Sequence, residues 1–187
     1  MIQSKSELLD YLEADKIALG RKTKKPRISD LIWKYEIVLR KCEYYANCRR
    51  DFLGRVIGKI YKYKKFKIET KCGFLIPINV VDKGLAIVHI GPVIISRNAR
   101  IGKNFRVHVG VNVGADARDG NAAPHIGDNV YIAPGAKLFG EIYIADNIAV
   151  GANAVVNKDF LTPNVSLGGV PARIISYRGS EGIIGRE

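Results

Sequence analysis

The amino-acid sequence predicts a mainly β protein, a parallel β-helix preceded by a small N-terminal α-helical region, and three observations carry that prediction. The first is a branched aliphatic residue that returns every six positions: Ile95, Ile101, Val107, Val113, then Ile126, Ile132, Leu138, Ile144, Val150 and Val156. Only the step from Val113 to Ile126 breaks the period, by one residue over two hexads. The second is what fills the other positions. The second residue of a hexad is usually Gly, Ala or Ser. The fourth is Asn98, Asn104, Gly110, Asp116, Asn129, Gly135, Asn147, Asn153 or Asp159, types that tolerate a left-handed backbone at a corner, with Glu141 as the exception. The fifth is small or apolar: Ala99, Phe105, Val111, Ala117, Val130, Ala136, Ile142, Ile148, Ala154 and Phe160. The third is the punctuation itself, which falls every six residues, whereas a sandwich shows period-two alternation and turn signals about every 8 to 12. Each hexad therefore reads as a short strand and a tight corner, with aliphatics stacking from coil to coil at the ~4.8 Å spacing of paired strands.

The whole chain bounds what surrounds this array. Its 187 residues suit one domain with an appendage, and 47% hydrophobic content is enough for a core. No apolar run approaches the ~18 to 20 residues that span a bilayer, and MIQSKSELLDYLEADK has no hydrophobic signal core, so a cytoplasmic protein is expected. Cys42, Cys48 and Cys72 have no metal-ligand spacing, which suits idle thiols in a reducing compartment and predicts no metal site. The charge is lopsided. Residues 1 to 72 hold 19 Lys and Arg against 9 Asp and Glu, leaving 11 against 9 for the rest. Such a basic end attracts nucleic acid, an anionic membrane or an anionic substrate. No zinc pattern, recognition-helix motif or aromatic RNA-binding consensus accompanies it, which excludes nucleic acid as the expected partner.

Along the chain, Ser4 or Ser6 caps a first helix that places Leu8, Leu9, Leu12 and Ile17 on one side, with Glu7 three residues after Ser4 as in a capping box. GRKTKKPR, residues 20 to 27, is a basic link, and Pro26 ends any helix before it. Ser29 caps a second helix over about residues 30 to 47, with Leu31, Ile32, Tyr35, Val38, Leu39 and Cys42 at helical spacing. A short third helix over Arg50 to Tyr63 follows, and the base of the prism is the surface these helices need. The run from Tyr61 to Lys67 alternates aromatic and basic residues; a solvated strand or helix end is the favoured reading, and a peripheral membrane contact through the basic N-terminal region stays open. From Phe74 the first coils are irregular. Residues 115 to 125 form the only long interruption of the repeat, where function often sits. Asp116 and Asp119 lack the alternating oxygen ligands and terminal Glu of a calcium loop. After Phe160, Pro163, Gly168-Gly169 and Pro171 mark the turn out of the helix, and a mobile polar tail is expected at the end.

The hexad array, with His89-Ile-Gly upstream and VGANAVV and NVSLGGVPARII downstream, resembles the hexapeptide-repeat acyltransferases, most closely the serine acetyltransferase-like branch that includes enzymes of polysaccharide biosynthesis. The similarity covers about residues 74 to 176. It implies a left-handed β-helix, against the usual right-handed crossover, and a homotrimer with acetyl-CoA in the cleft between subunits. The organisation it suggests is a basic helical region over residues 1 to 72, the acyltransferase domain over 73 to 176 and a tail over 177 to 187.

The resemblance makes His89 the general base. Acyl transfer from a thioester to a hydroxyl needs a group to take the hydroxyl proton and donors to hold the oxyanion, and an imidazole suits the first task. His108 stands where the repeat wants a small residue; it lines an acceptor pocket, a trimer interface or a stack. His125, at the end of the loop, and Asp116 are further acceptor-pocket candidates, and His125 is also the alternative base, since other branches of the superfamily use a histidine from such a loop. For acetyl-CoA, Gly114, Ala115, Ala133, Gly135, Gly151 and Ala152 are candidates by position, small enough to let a pantetheine arm lie on backbone, with Arg173 and Lys158 for its phosphates. Pro134 cannot donate an amide hydrogen bond.

Two departures bear on the acceptor. The position of the Asp that partners the family's catalytic histidine is Phe74, and the family's Arg-His pair in the loop is Ala122-Ala123. A serine acceptor presents a carboxylate that such basic loop residues help hold, so their loss weakens L-serine, and the expectation is O-acetylation of a sugar, sugar nucleotide or polysaccharide precursor. L-Serine is the alternative acceptor, and a non-catalytic trimeric scaffold is the alternative of another class.

Overall fold

The structure is a computed structural model, and residues 1 to 184 are described. Helix α1 (Lys5–Ala18), α2 (Leu31–Cys48) and α3 (Phe52–Cys72) precede five coils of short strands. The first coil carries β1 (Phe74–Leu75) and β2 (Ala86–Ile87); the second β3 (Val93–Ile95), β4 (Arg100–Ile101) and β5 (Arg106–Val107); the third β6 (Val111–Gly114), β7 (His125–Ile126) and β8 (Tyr131–Ile132). The fourth carries β9 (Lys137–Phe139), β10 (Tyr143–Ile144) and β11 (Ala149–Val150), the fifth β12 (Val155–Val156) and β13 (Ser166–Gly168), and β14 (Arg173–Ser176) closes the array.

Parallel pairing stacks these strands into three faces, with β14 alone added antiparallel, against β13. Face one is β1-β3-β6-β9-β12, face two is β4-β7-β10, and face three is β2-β5-β8-β11-β13-β14. All ten first-position aliphatics are buried in one continuous core with Phe105, Val130, Ile142 and Ile148. The corners explain six of the nine fourth positions: Asn104, Asn129, Asn147 and Asn153 have φ of 55 to 58°, and Gly110 and Gly135 have 80° and 77°, whereas Asn98, Asp116 and Asp159 do not take the left-handed backbone. Asn104, Asn129 and Asn147 also join side chain to side chain up one edge, at 2.8 and 2.9 Å. Ala117 departs from the expectation. The turn from β6 to β7 takes seven residues more than its neighbours, Ala117 is exposed, and buried Pro124 occupies the slot above Ala99.

The first coil has no coil beneath it, so its backbone groups need partners from elsewhere. Helices α1 and α2 supply them with acidic and basic side chains. Asp15 accepts from the N–H groups of Gly84 and Leu85 at 2.8 and 2.9 Å, Glu36 from Ile87 at 3.1 Å and Glu43 from Asn79 at 2.8 Å. Arg40 donates to the carbonyls of Val81 and Asp82 at 2.8 and 2.7 Å and meets Asp15 and Glu43 at 2.7 and 3.1 Å. Burial works against the Arg40 charge, but Asp15 and Glu43 outweigh it and hold its pKa above the ordinary guanidinium range. Burial, followed by the Asp15 charge, pushes Glu36 well above the usual carboxylate range. Removing one partner of such a buried set costs about 3 to 5 kcal/mol.

The helices differ from the sequence expectation in three ways. In α1, with Ser4 as N-cap, the buried face is Leu8, Tyr11 and Asp15, while Leu9 and Ile17 are exposed, because Asp15 must reach the coil edge. Asp30, not Ser29, caps α2, accepting from Trp33 N–H at 3.2 Å. Helix α3 runs on to Cys72, where Gly73 at φ 79° ends it, so the Tyr61 to Lys67 run is helical. The tail is also held: Ser180 is buried, donating through N–H to Asn147 O at 3.0 Å and through Oγ to Asn129 O at 2.6 Å. The last part of the expected mobile tail, residues 185 to 187, lies outside the described residues.

Candidate active site

Strand register singles out one corner. Ile87 pairs with Val107 and Val93 with Val111, so the turn from face three to face one takes six residues in the first coil and four in the second. Two extra residues bulge out there. His89 and Ile90 are both exposed on that bulge, and Gly91 closes it by donating its N–H to Cys72 O at 3.0 Å, at the end of α3.

One coil on, His108 faces the bulge. Its ring lies edge-on to His89 with centroids 5.5 Å apart and edge-on to Tyr131 at 5.3 Å. Burial, then the charges of His89 and Arg106, lower the pKa of His108, which favours its neutral form. Its Nδ1 is buried without a hydrogen-bond partner among the described residues. Within the protomer the ring makes two edge-on aromatic contacts, and a polar atom is left for something else.

Above His108 the register places Ala133, Gly151 and Gly168. From Val88 to Gly168 is four coil steps of about 4.8 Å, or about 19 Å, and the upper half of it, from Ala133 to Gly168, is a corner of small residues with Gly135 and Ala152 beside it. Ala133 is only 7% exposed, so it offers shape more than contact. Arg173 pairs with Gly168 and is exposed at the far end of this column.

The other candidates stand elsewhere. Gly114 and Ala115 lie where β6 leaves face one, and Asp116 begins the inserted loop. The Asp116 carboxylate accepts from Arg118 N–H at 2.7 Å, Asp119 does the same for Asn121 at 2.9 Å, and Asn98 donates to Gly120 O at 2.8 Å. Lys158, on the turn from face one to face two, sits 5.5 Å from the Phe160 ring, so it is not beside Arg173. His125 belongs to face two, stacked on Tyr143 at 4.9 Å, in a cavity of about 460 Å³ that it shares with Met1, Arg100 and Gly127. Within one protomer, then, His89 and His108 come together, whereas His125 and Asp116 stand at a different corner.

Two details of packing lie beyond the sequence reading. Phe74, where the family's Asp would be, is 3% exposed and packs its ring 5.0 Å from Tyr35. Beside the bulge, Ile90 borders a cavity of about 620 Å³ whose other lining includes Arg21, Lys22, Arg27 and Asp30. Arg21 is paired with Asp30 at 2.9 Å, while Lys22 and Arg27 have no ion pair among the described residues. The density of cations in residues 20 to 27 was the available signal; that the link folds beside residue 90 was not.

A three-faced hexapeptide prism with an exposed imidazole at the foot of a small-residue corner defines a hexapeptide-repeat acyltransferase. The chain is 33% identical over 146 residues to a serine acetyltransferase of Staphylococcus aureus strain Mu50, covering 72% of this chain and 68% of the relative. It is 30% identical over 145 residues to a serine acetyltransferase of Staphylococcus epidermidis strain RP62A, with the same two coverages. It therefore belongs to the serine acetyltransferase family, whose members are acetyl-CoA-dependent acyltransferases. Among solved structures, the serine acetyltransferase of Neisseria gonorrhoeae superposes with TM-score 0.70 at 21% identity, covering 94% of this chain and 69% of that one. That of Brucella abortus in complex with coenzyme A gives 0.69 at 22%, with coverages of 94% and 70%. These likenesses make the prism a left-handed β-helix. The scan against protein-family models found no match.

Proposed function

We propose that the protein transfers an acetyl group from acetyl-CoA to a hydroxyl, through residues 73 to 176, with His89 as general base and L-serine as the acceptor. His89 takes the hydroxyl proton as the oxygen attacks the thioester carbonyl, and the imidazolium returns it to the departing CoA thiolate. His108, with its orphaned Nδ1, borders the same space and helps orient the acceptor. The pantetheine arm lies along the column of Ala133, Gly135, Gly151 and Ala152, and Arg173 meets a phosphate. A homotrimer completes the cleft by bringing the His89 corner of one subunit against the loop corner of the next, where Gly114, Ala115, Asp116 and Lys158 stand.

The observation that carries L-serine is the cavity beside Ile90. Its two cations without an ion pair, Lys22 and Arg27, supply for a carboxylate the attraction that Ala122-Ala123 in the loop cannot. The named activity of the curated relatives points the same way. A saccharide hydroxyl is the second reading, favoured by buried Phe74, which leaves His89 without the carboxylate partner of the family pattern.

Thiol release from acetyl-CoA, measured with L-serine and with a panel of neutral saccharides, separates the two. Turnover with L-serine, and a raised KM for it in Arg27→Ala, supports the proposal; turnover with saccharides alone overturns its acceptor. Light scattering at micromolar concentration tests the assembly, and a monomeric mass would contradict the shared cleft.

A further inference from the structure

Helix α3 uses only one of its sides within the protein. At 100° per residue, Gly58, Tyr61, Ile68 and Cys72 fall together and face inward. A Cβ on Gly58 would lie 3.3 Å from Tyr45, the Tyr61 ring stacks on Tyr45 at 5.5 Å, and Cys72 is buried. On the opposite side, Phe52, Val56, Ile60 and Tyr63 form one stripe within about 80° of arc, with Leu53 and Phe66 at its margins. All six are exposed, Phe52 at 78%, Ile60 at 49% and Tyr63 at 61%.

The charges of α3 are as one-sided as its apolar residues. It carries seven Lys or Arg and one acid, Glu69, which is already paired with Lys65. Arg55, Lys59 and Lys62 flank one margin of the stripe and Lys64 and Lys71 the other, while Lys67 projects within its arc near the C-terminal end. An apolar stripe between two basic margins, rich in Phe and Tyr, has the composition of a helix lying in a membrane interface, its rings among the acyl boundary and its lysines at anionic headgroups. Self-pairing of this face would set cation against cation, which argues against a second copy as the occupant.

We propose that the exposed face of α3 docks the enzyme on an anionic lipid surface. Docking is peripheral, because no described helix is long and apolar enough to cross a bilayer. It also positions the chemistry: the carbonyl of Cys72, the last residue of α3, accepts from Gly91, so the His89 bulge stands at the end of the docked helix.

The test is co-sedimentation of the full chain with vesicles of phosphatidylcholine alone and of phosphatidylcholine carrying about one part in three phosphatidylglycerol. Binding to the anionic vesicles only, weakening as salt rises, is expected. Ile60→Asp with Tyr63→Asp should abolish it, and Lys64→Ala with Lys67→Ala should weaken it by roughly twenty-five-fold, about five-fold per lysine. Helix content, oligomeric mass and acetyl-CoA binding should be unchanged in both variants. Equal binding to neutral vesicles, or no binding to either, overturns the proposal. So does a fall in oligomeric mass in the Ile60 and Tyr63 variant, which would assign the stripe to another copy of the chain.

Discussion

The two edges of face one received insertions of different size and used them differently. At the first, two residues are added, and the result is an exposed His89, a neighbouring His108 with a spare ring nitrogen, and a column of small residues above them. At the second, seven residues are added, and the polar groups of the loop are consumed in holding its shape: Asp116 caps Arg118, Asp119 caps Asn121, and Asn98 holds Gly120. Local side-chain to backbone bonds of this kind stabilise a turn and leave little for a ligand. The length of an insertion is thus a poor guide to chemistry; what matters is which polar atoms remain unsatisfied near open space.

Arg173→Ala should show the largest effect of three that sharpen this contrast. If the cofactor runs up the column from His89, loss of a charge-assisted phosphate contact weakens acetyl-CoA by about 1 to 3 kcal/mol, measured by calorimetry. Unchanged affinity would detach the column from the cofactor. Asp116→Ala comes next. It removes one capping bond from the loop, so thermal stability should fall by about 1 kcal/mol with little change in kcat. A large loss of kcat without loss of stability would give Asp116 a direct part in the acceptor pocket.

The smallest effect concerns pH. His108 has a lowered pKa in the folded state, chiefly through burial. The unfolded chain therefore binds a proton at about pH 6.5, while the folded chain binds it only lower. In that window the unfolded state holds more protons, so stability falls as pH falls. Melting temperature followed from pH 7.5 downward should drop less steeply in His108→Asn than in the parent; identical slopes would mean that His108 is not held neutral by the fold.

Much of the prism was legible because its code is local. One aliphatic in six fills the interior, and an Asn or Gly turns the corner, so the buried set from Ile95 to Val156 could be named from spacing alone. Ala117 failed because the count was carried across the loop as two hexads, where the chain inserts seven residues and resumes at Pro124. The extension of α3 to Cys72 was missed because aromatics alternating with lysines mimic a strand period over seven residues, although no breaker stands before Gly73. The cap under the first coil could not be read at all. Asp15, Glu36, Arg40 and Glu43 meet backbone groups 36 to 70 residues away, a pattern with no local signature. His89 was reached by resemblance, yet the bulge that exposes it needed the register of β2 and β3.

The central claim is that the base stands at the small bulge and not on the long loop. Steady-state kinetics of His89→Ala and His125→Ala, with acetyl-CoA and the acceptor identified by thiol release, test it most directly. The account predicts a kcat lowered by roughly 100-fold or more for His89→Ala, with acetyl-CoA binding retained, and at most a change in acceptor KM for His125→Ala. A kcat near that of the parent for His89→Ala, beside a collapse for His125→Ala, would contradict it and move the chemistry to the loop corner.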